Sequence, residues 1–158
     1  MNHPRPSFAA AFRRLLLKRF CLWGLVPVFA SAQPSPVWRV VQNDFVEPAP
    51  AVAEVHASTL VETADGALVA SWFGGTKEAN DDVSIYVSRR DGAKPWTAGQ
   101  VVADGVQPDG RRFATFNPVL HRAADGRLLL FFKTGPNPEK WWGEVIVSKD
   151  HGRTIFRG

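Results

Sequence analysis

The sequence predicts an all-β chain built of two like units. Three observations carry that expectation. Identical residues recur at a fixed offset of sixty: Leu60/Leu120, Ala64/Ala124, Asp65/Asp125, Gly66/Gly126, Leu68/Leu128, Gly75/Gly135, Val87/Val147, Ser88/Ser148 and Gly92/Gly152. Each copy has the texture of strands joined by turn residues, and the second ends in a recognisable turn motif. Self-similarity of this kind marks a supersecondary module that buries its apolar face by stacking on its neighbours. A sixty-residue period is long among such modules, but it suits a propeller blade with generous loops.

Taken in order, Ser58–Thr63 alternates polar and apolar residues, and Ala64-Asp65-Gly66 is a turn signal. Ala67–Phe73 comes next as a dense apolar run, and Val83–Ser88 is β-branched and aromatic. These read as three strands in close order, with Gln100–Ala103 as a short outer strand. The second copy repeats the series with Asn117–Arg122, the Ala124-Asp125-Gly126 turn, Arg127–Lys133 and Gly143–Ser148. Asp-Gly between apolar runs is a strong hairpin signal. Beyond residue 32 no helical periodicity longer than a turn is present. An early segment, Val37–Val41, reads as a strand without a partner in either copy, between proline-rich joints at Gln33–Pro36 and Glu47–Pro50.

The second copy closes on Ser148-Lys149-Asp150-His151-Gly152-Arg153-Thr154, which fits S-x-D-x-G-x-T, with Ile155 where an aromatic residue is usual. The chemistry of this Asp-box pattern is local. The carboxylate and hydroxyls of Ser148, Asp150 and Thr154 can satisfy backbone N–H groups of a turn, while Gly152 takes a conformation costly for other residues. The motif is therefore read as structural. The first copy carries a degraded form, Ser88-Arg89-Arg90-Asp91-Gly92, trailed by Trp96.

From about His56 to Thr154 the chain resembles the Asp-box (BNR-repeat) sialidase family. The segments that carry the resemblance are His56-Ala57-Ser58-Thr59-Leu60, Ser71-Trp72-Phe73-Gly74-Gly75-Thr76-Lys77-Glu78, Asn117-Pro118-Val119-Leu120 and the Asp box. The resemblance implies a six-bladed β-propeller, of which this chain would supply the first two blades. It also implies an exo-acting glycoside hydrolase that removes terminal sugars. The expected organisation is a signal peptide over residues 1–32, a linker and N-terminal strand over 33–55, and an incomplete sialidase-like propeller over 56–158. Blade one would span about 56–104 and blade two about 116–158.

The leader is read from its order of residue types. Arg5, Arg13, Arg14, Lys18 and Arg19 precede the apolar stretch Phe20–Phe29, and Ala30-Ser31-Ala32 offers a small-x-small cleavage site before Gln33. Export to the periplasm or the medium is expected, and the arginine pair also resembles a twin-arginine signal. The apolar stretch is about half the roughly 20 residues a membrane span needs, and Pro27 interrupts it. No stable span is therefore expected after cleavage. The leader holds 5 of the 19 basic residues and none of the 15 acidic ones. The remainder thus carries 14 basic against 15 acidic residues, a net charge of −1. Nucleic-acid binding needs a concentrated basic footprint, which this remainder lacks. Cys21 is the sole cysteine and lies in the leader, so the mature chain has no disulfide, cysteine-based zinc site or thiol nucleophile. Nothing in the pattern calls for a metal or cofactor.

Removing the leader leaves 126 residues, 158 less 32. That is two units, where propellers use about 4–8 blades. The chain is accordingly read as the front of a longer protein, truncated and inactive alone, whose unpaired strand edges invite self-association.

In an antiparallel meander, turns alternate between the two ends of a sheet. The Asp-Gly turns and Asp-box turns should share one end. Glu78, Asp81, Asp82 and the Gly135–Trp142 loop should gather at the other, with the strand starts at His56 and Asn117. This convergence is the candidate site for a carbohydrate. Glu78, Asp81 and Asp82 are candidate catalytic acids and, equally, candidate solvated carboxylates or turn caps. The resemblance implies an acid/base Asp in this loop, with Asp82 and Glu78 the first choices. A catalytic acid needs a raised pKa, which burial or neighbouring negative charge supplies.

His56 stands where the family has an arginine that grips a sugar carboxylate. An imidazole offers no permanently charged bidentate fork. His56, Asn117, Trp141 and Trp142 are the substrate-binding candidates, the tryptophans as stacking platforms. The family's tyrosine nucleophile belongs to later blades, and Tyr86, the sole tyrosine, sits in a third strand and is not assigned that role. The alternative to an enzyme is a carbohydrate-binding propeller module without catalysis.

Overall fold

The computed structural model describes residues 38–40, 42–47 and 50–154. The expected signal peptide over residues 1–32, Cys21, the Gln33–Pro36 joint and Ile155 lie outside them. The chain divides into a unit ending at Val40 and a second, Val41–Gly158, which contains both sheets and the cleft between their loops. Residues 38–40, the described part of the expected strand Val37–Val41, carry no strand. Among the described residues they have no ladder partner.

Seven antiparallel strands form two sheets among the described residues. β1 (Glu54–Glu62), β2 (Leu68–Gly75), β3 (Ser84–Arg90) and β4 (Gln100–Ala103) make the first, in that spatial order. β5 (Thr115–Arg122), β6 (Leu128–Thr134) and β7 (Trp142–Ser148) make the second. Each sheet is a blade-like antiparallel meander, and the described residues are all-β apart from one short 3₁₀ turn. A 3₁₀ turn, Pro138–Lys140, precedes β7. The strands run slightly beyond their expected limits, because the segments before His56 and Asn117 also pair with β2 and β6.

The period of two sorts residues onto faces. Val69, Phe73, Val83, Ile85 and Val87 of the first sheet and the loop before β3 pack against Phe116, Leu120, Leu128, Leu130 and Phe132 of the second sheet. Phe73 and Phe116 meet edge to face at 5.6 Å. The sheets are also joined by hydrogen bonds: Thr115 N–H donates to the Val83 carbonyl at 3.1 Å, and Leu120 N–H to Thr59 Oγ1 at 3.3 Å. On the far face of the first sheet, Trp72 stacks on Tyr86 at 5.9 Å. The 42–47 segment is fastened to this sheet: Glu47 accepts from Gly99 N–H, and Arg90 donates to Gln42.

The repeat is visible in the backbone. β1 breaks register between His56 and Thr59, and β5 between Phe116 and Val119. Ala57 and Asn117, sixty apart, both sit at φ 49° in these bulges. The third strands depart from the repeat. Leu68 faces Arg90, but Leu128 faces Ser148, two residues earlier than the offset requires. The second loop is shorter between its paired ends, Thr134↔Trp142 against Gly74↔Ser84, and the 3₁₀ turn closes it. A slip of two keeps every side chain on its own face, so the core survives it.

Candidate functional site

The two ends of the sheets are built differently. At one end lie the turns 63–67 and 123–127 with the Asp box. Thr63 N–H closes on the Ala67 carbonyl at 2.8 Å and Ala123 N–H on that of Arg127 at 2.9 Å. Gly66 and Gly126 take φ of 80° and 86°, a region that glycine enters without steric cost. In the Asp box, Gly152 N–H donates to Ser148 Oγ at 2.8 Å, Ser148 Oγ–H to Asp150 at 2.7 Å, and Thr154 N–H to Asp150 at 2.9 Å. The Thr154 hydroxyl is the largest of the influences that hold the Asp150 carboxyl down to about 2, with Ser148 adding to it.

Arg89 is the hub of this end. Its buried guanidinium donates to Asp65 at 3.0 Å, to Asp91 at 2.6 Å and to the His151 carbonyl. Arg153 of the Asp box reaches the same Asp65 at 2.5 Å. The Thr63 hydroxyl, then Arg89 and Arg153, hold the Asp65 carboxyl far below the usual carboxylate range. One carboxylate thus clamps Arg89 of β3 and Arg153 of the Asp-box turn.

At the opposite end, the start of β1 and the β2–β3 and β6–β7 loops enclose an open cleft of about 910 Å³. Its lining includes Glu54, His56, Lys77, Glu78, Phe116 and Trp141. His56 and Glu78, expected at this end, are in it, as is Trp141. The bulge at Ala57 follows His56 directly, and bulges commonly re-aim side chains beside active sites. The His56 ring lies 5.4 Å from that of Phe73. Its Nε2 is 3.7 Å from Glu54 Oε2, which also accepts the Glu78 N–H at 2.7 Å. Trp141 packs on Phe116 at 4.6 Å, with Lys133 Nζ 5.8 Å from its ring.

The other candidates sit elsewhere. Asp82 accepts the Thr76 N–H at 2.9 Å and the Thr76 hydroxyl at 3.0 Å, bracing the β2–β3 loop. The Thr76 N–H is the main reason its carboxyl titrates below the usual value. In this arrangement Asp82 accepts hydrogen bonds within its own loop. Asp81 is exposed beside it. Asn117 is exposed at the β5 bulge and does not line the cleft. Trp142 faces the other way, edge-on to Phe113 at 5.6 Å, with its Nε1–H on Glu144 at 2.9 Å. Neighbours at the start of a strand point to opposite faces, which separates Trp141 from Trp142.

Glu54, Lys77 and Phe116 are cleft residues that the sequence reading missed. Glu54 had a signal: it is two residues before His56 on one strand and therefore on the same face. A smaller apolar recess of about 270 Å³ lies between Val46, Glu47 and Pro50, β1 including His56, and Trp72. Its charged residue Glu47 is engaged by Gly99, so the larger cleft is the better place for chemistry. Among the described residues no three His, Cys, Asp or Glu side chains cluster as metal ligands, and no helix is long and apolar enough to cross a membrane.

The sequence profile of the BNR repeat-like domain matches residues 66–156. No curated protein matches the chain significantly. Among solved structures, a protein of unknown function from Dyadobacter fermentans DSM 18053 superposes with a TM-score of 0.50 at 16% identity, over 66% of this chain and 35% of that one. The Hadza microbial sialidase Hz136 superposes with a TM-score of 0.46 at 19% identity, over 63% of this chain and 23% of that one. The first likeness concerns the fold alone, and the second is too low to carry an argument. The chain spans about a third or less of the length of either.

Proposed function

The chain belongs to the BNR repeat-like domain family, and we propose that it supplies one wall of the active site of an exported, sialidase-like exo-glycosidase acting on terminal sugars of glycoconjugates. The observation that supports this reading best is the cleft, where three separate segments bring Glu78, Glu54, His56 and Trp141 together. A carboxyl group and an aromatic surface in one cleft are what protonation of a glycosidic oxygen and stacking on a sugar ring require. Glu78 is the first candidate for the acid, with Asp82 and Asp81 as the alternates. Asp82 would have to leave Thr76 to serve. Export is proposed from the basic, apolar and Ala-x-Ala order of the leader, and self-association from β4 and β7, which are edge strands among the described residues.

Retaining glycosidases place a nucleophile across the sugar from the acid, some sialidases using tyrosine. Tyr86 does not serve, being stacked on Trp72 with burial pushing its hydroxyl up. This chain alone is therefore proposed to bind sugars without turning them over. A non-catalytic binding module is the second reading, favoured by the engagement of Asp82 as a structural acceptor. The test is an assay of the purified chain on a panel of fluorogenic exo-glycosides, with and without further blades of a relative. Turnover in the extended protein that is lost in Glu78→Gln supports the enzyme. Retained sugar binding with no turnover in either form supports the module. Turnover by the short chain would overturn the proposal that it is inactive alone.

A further inference from the structure

We infer that the Glu54–His56–Glu78 wall of the cleft receives the uncharged, hydroxyl-bearing part of a sugar and rejects an anionic group, with Glu54 as the residue that sets this preference. The inference rests on the carbohydrate reading above and gives it a ligand class. Three features of the structure carry it.

The first is the charge of the cleft. Its lining has two carboxylates, Glu54 and Glu78, against one ammonium, Lys77, and no arginine among the described residues. A sugar carboxylate placed here would face like charge at close range without a bidentate guanidinium to offset it. The second is the pairing of Glu54 Oε2 with His56 Nε2 at 3.7 Å. A carboxylate oxygen accepts hydrogen bonds and an imidazole can donate or accept. Side by side and partly exposed, they match two neighbouring hydroxyls of a sugar ring. The third is the bond from Glu78 N–H to Glu54 Oε2 at 2.7 Å. It ties the β2–β3 loop to β1, so the carboxylate that discriminates also fixes the place of the second one.

The backbone keeps Glu54 where it is. A Cβ added at Gly74 would stand 2.6 Å from the Glu54 carbonyl oxygen, so this glycine allows β1 and β2 to close beside Glu54. Phe116 and Trp141 on the far wall give the ring's apolar face its surface.

The test compares two ligands that differ in one group: methyl β-galactopyranoside and methyl β-galactopyranosiduronate, titrated into the full chain at pH 7 and followed by indole fluorescence and by the amide signal of Glu78. The neutral glycoside should bind about fivefold or more tightly than the uronate at low salt, with the gap shrinking as ionic strength rises. Glu54→Gln keeps an acceptor for the Glu78 N–H and removes the charge. It should narrow the gap by strengthening uronate binding, whereas Lys77→Gln should widen it. Equal or tighter binding of the uronate by the unaltered chain would overturn this inference and leave the carbohydrate reading standing. Binding of neither ligand, nor of other neutral methyl glycosides, would overturn both.

Discussion

The two ends of the sheets share a chain and a repeat but use charge in opposite ways. At the turn end, Asp65, Asp91 and Asp150 are each held by arginines, hydroxyls or backbone N–H groups, and Arg89 and Arg153 meet on one carboxylate. At the cleft end, Glu54 and Glu78 stand in an open recess beside His56. Asp82, next to that recess, has both carboxylate oxygens committed to Thr76 of its own loop. Carboxylates in this repeat protein are thus of two kinds. Those whose lone pairs are spent within their own turn hold the fold, and those left facing a concavity are available to a ligand. Neighbouring loops of one blade supply both kinds.

If this division is right, the largest loss of stability comes from the hub at the turn end. Arg89→Met removes a buried guanidinium that bonds two carboxylates and the His151 carbonyl. Urea unfolding should show a loss of about 3–5 kcal/mol, the range for breaking a buried charged pair by removing one partner. An unchanged midpoint would break the comparison at its strongest point. Asp150→Ala should cost less, about 0.5–2 kcal/mol, the scale of a lost cap or turn bond.

The same residue gives a pH signature. Its carboxyl lies near 2 in the fold against 3.8 unperturbed, so its contribution is fully present above about pH 4 and is lost as pH falls towards 2. The stability difference between the parent and Asp150→Ala, followed by unfolding at several pH values, should shrink across that window. Smallest of all is Asp125→Asn. Asp125 pairs with Arg127 at 2.7 Å, but both side chains are about half exposed, and exposed pairs contribute little. Its melting temperature should match the parent within measurement scatter, and a clear loss would show that the second Asp-Gly turn matters as much as Arg89.

Much of this arrangement could be read from residue types. Alternation placed the strands, Asp-Gly marked the two turns at Gly66 and Gly126, and the S-x-D-x-G-x-T spacing gave the Asp-box turn. Turn alternation in a meander also sent His56, Glu78 and Trp141 to one end. What escaped was set by pairing and not by residue type. Asparagine tolerates the left-handed region, so Asn117 at a bulge is unsurprising, but alanine does not advertise it, and the matching bulge at Ala57 was silent. The two-residue slip of β7 depends on how the shorter second loop closes, and it conserves faces, leaving no mark on the hydrophobic pattern. Arg89 read as part of a degraded motif because its partners Asp65 and His151 are distant in sequence. Trp141 and Trp142 looked alike until the start of β7 turned one towards Phe116 and the other towards Phe113.

The claim that the cleft end is the ligand face is tested most directly by mapping backbone amide shifts while a neutral methyl glycoside is titrated into the isotopically labelled chain. Shifts should concentrate at Glu54–His56, Lys77–Ala79 and Pro136–Trp141, with the turns 63–67 and 123–127 and the Asp box 148–154 unmoved. Glu78→Gln should weaken the response without lowering the melting temperature. Shifts centred on the Asp box and the Asp-Gly turns, or a uniform absence of shifts at saturating sugar, would contradict the account.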